Sequence, residues 1–138
     1  MLVVRAEQFE KIIKASEEDF VNYLVGYVEG NHPEAAAERD EKTLRKMIRG
    51  GIKRAERYQI ERVADTEIFV GKMFEVAPNF DEQAEIKAIL TDETNSPEKR
   101  VEILRSPSVA KESWEEARLG YDEKAWFEVS RKKPKSPK

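Results

Sequence analysis

Apolar residues recur at three- and four-residue steps along most of this chain. Phe9, Ile12, Ile13, Phe20, Tyr23, Leu24, Tyr27 and Val28 keep that rhythm and predict one long helix over Ala6–Glu29. Gly30-Asn31-His32-Pro33 predicts its end, with a glycine suited to a left-handed cap and a proline that bars continuation. Glu34–Arg39 is alanine-rich and fits one further helical turn. Asp40 is a candidate N-cap for a second long helix reaching Tyr58. Ile60–Val76 is apolar nearly all round, as expected of a helix enclosed by its neighbours.

Beyond it, Pro78-Asn79-Phe80-Asp81 predicts a turn, with Asp81 capping a short helix that carries Ala84, Ile86, Ile89 and Leu90. Ser96-Pro97-Glu98 pairs a capping serine with a proline at the first helical position and predicts a helix to Arg105. Ser106-Pro107 repeats the signal and predicts a helix through Trp114 to Leu119, closed by Gly120. Asp122 begins a last turn holding Ala125, Trp126 and Phe127. Leu2, Val3 and Val4 read as a short extended lead-in, and no stretch alternates strongly enough to predict a sheet. The expected fold is all-α, a single-domain orthogonal or mixed bundle of five to seven helices over residues 1–129, followed by a basic, disordered tail at 130–138.

The second long helix has two unlike faces. Lys42, Lys46, Arg49, Lys53 and Arg57 stand at spacings of 4, 3, 4 and 4, one narrow basic row on a helix. Leu44, Met47, Ile48, Gly51, Ile52, Ala55 and Tyr58 fall about half a turn away at roughly 100° per residue. Arg45, Lys46, Arg49, Gly50, Lys53 and Arg57 are therefore the candidate partner-binding residues. Gly51 lies on the apolar side, where a missing side chain lets a neighbouring helix approach, whereas Gly50 lies nearer the basic edge. The alternative is a face paired within the protein, with Glu17, Glu18 and Asp19 or the acids of Glu34–Glu41 beside it.

Charge sharpens this contrast. Of 25 basic residues, five fall in the last nine, which leaves 20 against 28 acidic ones in the body. Such an acidic body repels a phosphate backbone, and no aromatic is interleaved among the cations of the row for base stacking, so nucleic acid is disfavoured as a partner. The chain has no cysteine, hence neither disulfides nor thiolate chemistry, and its first residues resemble neither a signal peptide nor a membrane span. A cytoplasmic protein is expected.

Candidate chemistry is sparse. His32 is the only histidine, and Glu29 stands before it in an E-x-x-H spacing. No second such pair completes a di-metal site, and the residues around it break the helix. Nucleophile elbows and phosphate-binding glycine loops are missing. No catalytic residue, metal ligand or cofactor is expected. Trp114, Tyr121, Trp126 and Phe127 fit either the core or an aromatic anchor for another protein.

The stretches LRKMIRGGIKRAERYQI, FVGKMF, PNFD, AILTD and KRVEIL, together with the N-H-P that follows the first helix, resemble a family of small helical bacterial proteins. Its members are encoded near type VI secretion and polymorphic toxin genes. The resemblance covers roughly the first 105 residues. Gln59 stands where that pattern has glycine after the tyrosine, and Glu85 where it has tryptophan. What the resemblance implies is a partner class: an effector, a toxin or a secretion component. The expected function is a non-catalytic protein-binding module, an adaptor or chaperone for such a partner. The alternatives are an immunity protein working through acids such as Glu17, Glu18, Asp19 and Glu34, and a small enzyme.

Overall fold

The computed structural model describes residues 6–127, so the lead-in at residues 2–4 and the basic tail at 130–138 lie outside the described residues. Among the described residues the chain is all-α, with eight α-helices, two 3-10 turns and no strand.

The first predicted helix is two. Helix α1 spans Ala6–Ile13 and α2 spans Glu17–Asn31. Ser16 breaks them by leaving the helical region, and its Oγ accepts the Asp19 N–H at 3.0 Å. Glu17, Glu18 and Asp19 then sit at the positive end of α2. Nor does Gly30 form a left-handed cap, since no described glycine has positive φ and α2 continues past it. The end is made by His32, whose N–H donates to Val28 O at 2.7 Å, and Pro33 opens the short α3, Pro33–Ala37.

Asp40 caps α4, Glu41–Glu56, as its sequence predicts, accepting the Thr43 N–H at 2.7 Å. Past its end Gln59 takes φ 62, the left-handed position, and Ile60 N–H reaches back to Ala55 O at 3.1 Å. Glycine would hold this conformation without the roughly 1 kcal/mol that a side chain costs there. Helix α5 spans Val63–Glu75 and begins later than predicted, because residues 59–62 are used in the turn. Its cap comes from α1: Glu10 accepts the Val63 N–H at 2.9 Å.

Gln83, rather than Asp81, caps α6, Ala84–Leu90, by accepting the Ile86 N–H at 3.0 Å; Phe80–Glu82 form a 3-10 turn before it. Ser96 caps α7, Pro97–Arg105, as expected. Ser106 does not open the next helix, because its hydroxyl donates to Ile103 O at 2.8 Å and closes α7. Helix α8 spans Lys111–Leu119 and takes its cap from α6, where Glu85 accepts Ala110 N–H at 3.3 Å and the Ser113 hydroxyl at 2.5 Å. The final 3-10 turn is Glu123–Trp126.

Two apolar clusters form the core, one around Phe69, Met73, Phe80, Ile86, Leu90 and Trp126, the other around Phe20, Leu24, Val28, Leu44, Ile48 and Val70. Helices α4 and α5 feed both. A Cβ on Gly51 would stand 3.1 Å from Val70 Cγ2 and 3.2 Å from Met73 Sδ, so the glycine is what allows α4 to lie this close to α5.

Among the described residues one buried side-chain polar group lacks a partner. Thr66 on α5 is fully buried and its hydroxyl has no hydrogen bond. Thr66→Val keeps the shape and removes the orphan, and raises unfolding free energy by about 1 kcal/mol in urea denaturation. A loss of stability would mean that the hydroxyl is satisfied.

Candidate functional site

Helix α4 presents its cations in two groups. Arg45 and Arg49, four residues apart, both reach to the first turn of α2 and grip Glu18; Arg49 Nη2 lies 2.8 Å from its carboxylate. Arg45 also donates to Asn22 Oδ1 at 2.8 Å, and Glu17 lies 3.9 Å from Arg49. Desolvation works against the Glu18 charge, but the hydrogen bonds and charges of the two arginines hold its carboxyl below its ordinary value. These two arginines are thus joined to α2, the internal pairing that the acids of Glu17–Asp19 made an alternative from the start.

Lys42, Lys46, Lys53 and Arg57 form the other group. All four are exposed, and none lies within 4 Å of an acidic oxygen among the described residues. They stand on one face over about 22 Å of helix, at 1.5 Å per residue. Lys53 also lines a groove of about 300 Å³ between the start of α2 and the middle of α4, together with Lys14, Phe20, Arg49, Ile52 and Glu56. The groove thus combines three cations and two acids, Glu17 and Glu56, with the half-buried Ile52.

Gly50 does not belong to this face. It is buried, because the edge of the helix on which it lies is covered by the rest of the fold, so its backbone is not offered to a partner.

The structure also places a charged group that the basic row hid. Arg54 is 1 % exposed, on the buried side of α4. Its Nε donates to Asp81 Oδ1 at 2.8 Å, its Nη2 to Glu82 Oε2 at 2.9 Å and its Nη1 to the Ala125 carbonyl at 3.4 Å. The Tyr58 hydroxyl donates to the second Asp81 oxygen at 2.5 Å. Burial, and then the Asp81 charge, push the Tyr58 phenol far above its ordinary value, which keeps it a donor. The signal for Arg54 was its spacing: three residues after Gly51 and four before Tyr58, inside the apolar stripe.

His32 is half-buried and packs on the Tyr27 ring and on Gly71, while Glu29 of the E-x-x-H spacing is exposed. Among the described residues no three His, Cys, Asp or Glu side chains gather to hold a metal ion. The C-terminal aromatics divide. Trp126 is core and Trp114 half-buried beneath Lys72 Nζ, whereas Tyr121 and Phe127 are 45 % and 41 % exposed. No described helix is long and apolar enough to cross a membrane. Comparison with known protein families, curated proteins and solved structures gives no match.

Proposed function

We propose that this chain is a non-catalytic binding module, a mixed helical bundle whose α4 offers Lys42, Lys46, Lys53 and Arg57 to an acidic protein surface. The observation that carries this function is four exposed cations on one helical face, with no acidic oxygen within 4 Å of them among the described residues, in a protein whose acids outnumber its bases. Such a row orients and speeds docking more than it holds the complex, while in the neighbouring groove the half-buried Ile52 supplies apolar contact. The resemblance drawn from the sequence adds the partner class, an effector, a toxin or a secretion component, met in the cytoplasm by an adaptor or chaperone. The immunity alternative is less favoured, because Glu17 and Glu18, two acids it would use, are engaged by Arg45 and Arg49.

Capture of the partner on the wild-type chain from the native cell supplies the test. Changing Lys46, Lys53 and Arg57 together to glutamate then weakens its binding by about tenfold or more, mostly through the association rate, and flattens the salt dependence. Unchanged affinity and unchanged salt dependence would remove the row from the interface.

A further inference from the structure

A second concave site shares no residue with the α4 row. It is a pocket of about 280 Å³ where the ends of α2, α5 and α7 meet, and Tyr27, His32, Gly71, Lys72, Glu75 and Arg105 line it. Gly71 is its structural key. A Cβ there would stand 3.3 Å from His32 Nε2 and 3.5 Å from the Tyr27 hydroxyl, so both polar atoms converge on one point above a bare backbone. A methyl group there would press on His32 Nε2 and touch the Tyr27 hydroxyl.

The groups around this point have hydrogen-bonding capacity left over. Among the described residues neither the Tyr27 hydroxyl nor the His32 ring has a hydrogen bond, and Arg105 has no carboxylate within 4 Å. Lys72 lies 3.5 Å from Glu75 and 4.8 Å above the Trp114 ring, so the one acid of the pocket already has a cation beside it. Burial and the nearby Glu67 push the Tyr27 phenol up, which leaves it a neutral donor. A hydroxyl and an imidazole from the end of α2 and an unpaired guanidinium from the end of α7 suit one chemical class: a small oxyanion whose oxygens accept several hydrogen bonds.

We infer that this pocket binds a phosphate or carboxylate group, with Arg105 as its charged anchor and Tyr27 and His32 as hydrogen-bonding partners over Gly71. Occupation of this pocket is a separate matter from docking on α4.

His32 is the only histidine, so its imidazole proton resonance reports on the pocket without overlap. The full chain is titrated with inorganic phosphate at constant ionic strength, balanced with chloride, and in a second arm with acetate. A saturable shift of the His32 resonance is expected, and Arg105→Ala should weaken it about tenfold, the size of one charge-assisted contact. Saturation by phosphate alone assigns a phosphate group, and saturation by both ions assigns the more general oxyanion. Tyr27→Phe, which keeps the ring packing, should weaken binding without lowering the melting temperature. Shifts that stay linear in both arms, or that are the same in Arg105→Ala, would overturn the site.

Discussion

Asp81→Ala lowers the unfolding free energy by about 3 to 5 kcal/mol, the cost of leaving a buried charge without its partner. In the wild type both Asp81 oxygens are engaged, one by Arg54 Nε and one by the Tyr58 hydroxyl, with Asp81 wholly and Arg54 almost wholly withdrawn from water. Removing the carboxylate strands a guanidinium at the junction of α4 with the turn before α6. Glu82 remains 2.9 Å away, but it is 57 % exposed and so replaces little of the lost interaction. Arg54→Met and Tyr58→Phe combined with Asp81→Leu behave differently, because no polar group is then stranded, and most of the loss is recovered. Urea denaturation followed by circular dichroism checks both variants. A fall of less than about 1 kcal/mol in Asp81→Ala would mean that the pair is not desolvated as its burial implies.

That group marks the boundary of what could be read from residue order. The caps at Asp40, Ser96 and Asp122 were legible because each side chain reaches an N–H two or three residues ahead. Ser16 carries the same signal, but the apolar rhythm from Phe9 to Val28 runs across it and reads as one helix. Caps sent from elsewhere were not legible. Glu10 on Val63 and Glu85 on Ala110 bridge residues 53 and 25 positions apart, and only the packed fold makes them neighbours. Two further roles depend on the packed fold in the same way: Gln59 holds a left-handed backbone and accepts from Arg100 at 3.3 Å, and Glu85 caps α8.

The amphipathic design of α4 was visible, yet it misplaced Gly50 and left Arg54 out. Periodicity assigns a face to each position, but it cannot say how far neighbouring elements wrap round the helix. The fold covers the edge holding Gly50, and it encloses Arg54 by supplying an aspartate from 27 residues further on. Arg45 and Arg49 stood among the candidate partner-binding residues with Lys46 and Lys53, and only the position of α2 divides paired cations from unpaired ones. Sequence alone thus located the candidate surface, while tertiary packing decided which of its charges stay available.

The other large loss is expected at Trp126, where Trp126→Ala should cost about 3 to 5 kcal/mol. Its ring is 2 % exposed and lies 4.6 Å from that of Phe74, and its Nε1 donates to the Tyr121 hydroxyl at 3.0 Å. The last described turn is also tied down by polar contacts: Arg54 to the Ala125 carbonyl, Asn79 to Gly120 and Asp122, and Arg39 to Glu123 at 2.9 Å. Those contacts are mostly exposed and individually weak, so the indole is what gives the segment its grip on the core. Trp126→Phe keeps most of the apolar surface and should lose only about 1 to 2 kcal/mol, through a small cavity and the missing donor to Tyr121. Because the same turn supplies the carbonyl beside Arg54, Trp126→Ala and Asp81→Ala should not add: residues joined through one network couple by about 0.5 to 3 kcal/mol. A double-mutant cycle measures this directly. Strict additivity would show that the C-terminal turn rests on the core without sharing the stability of the buried ion pair.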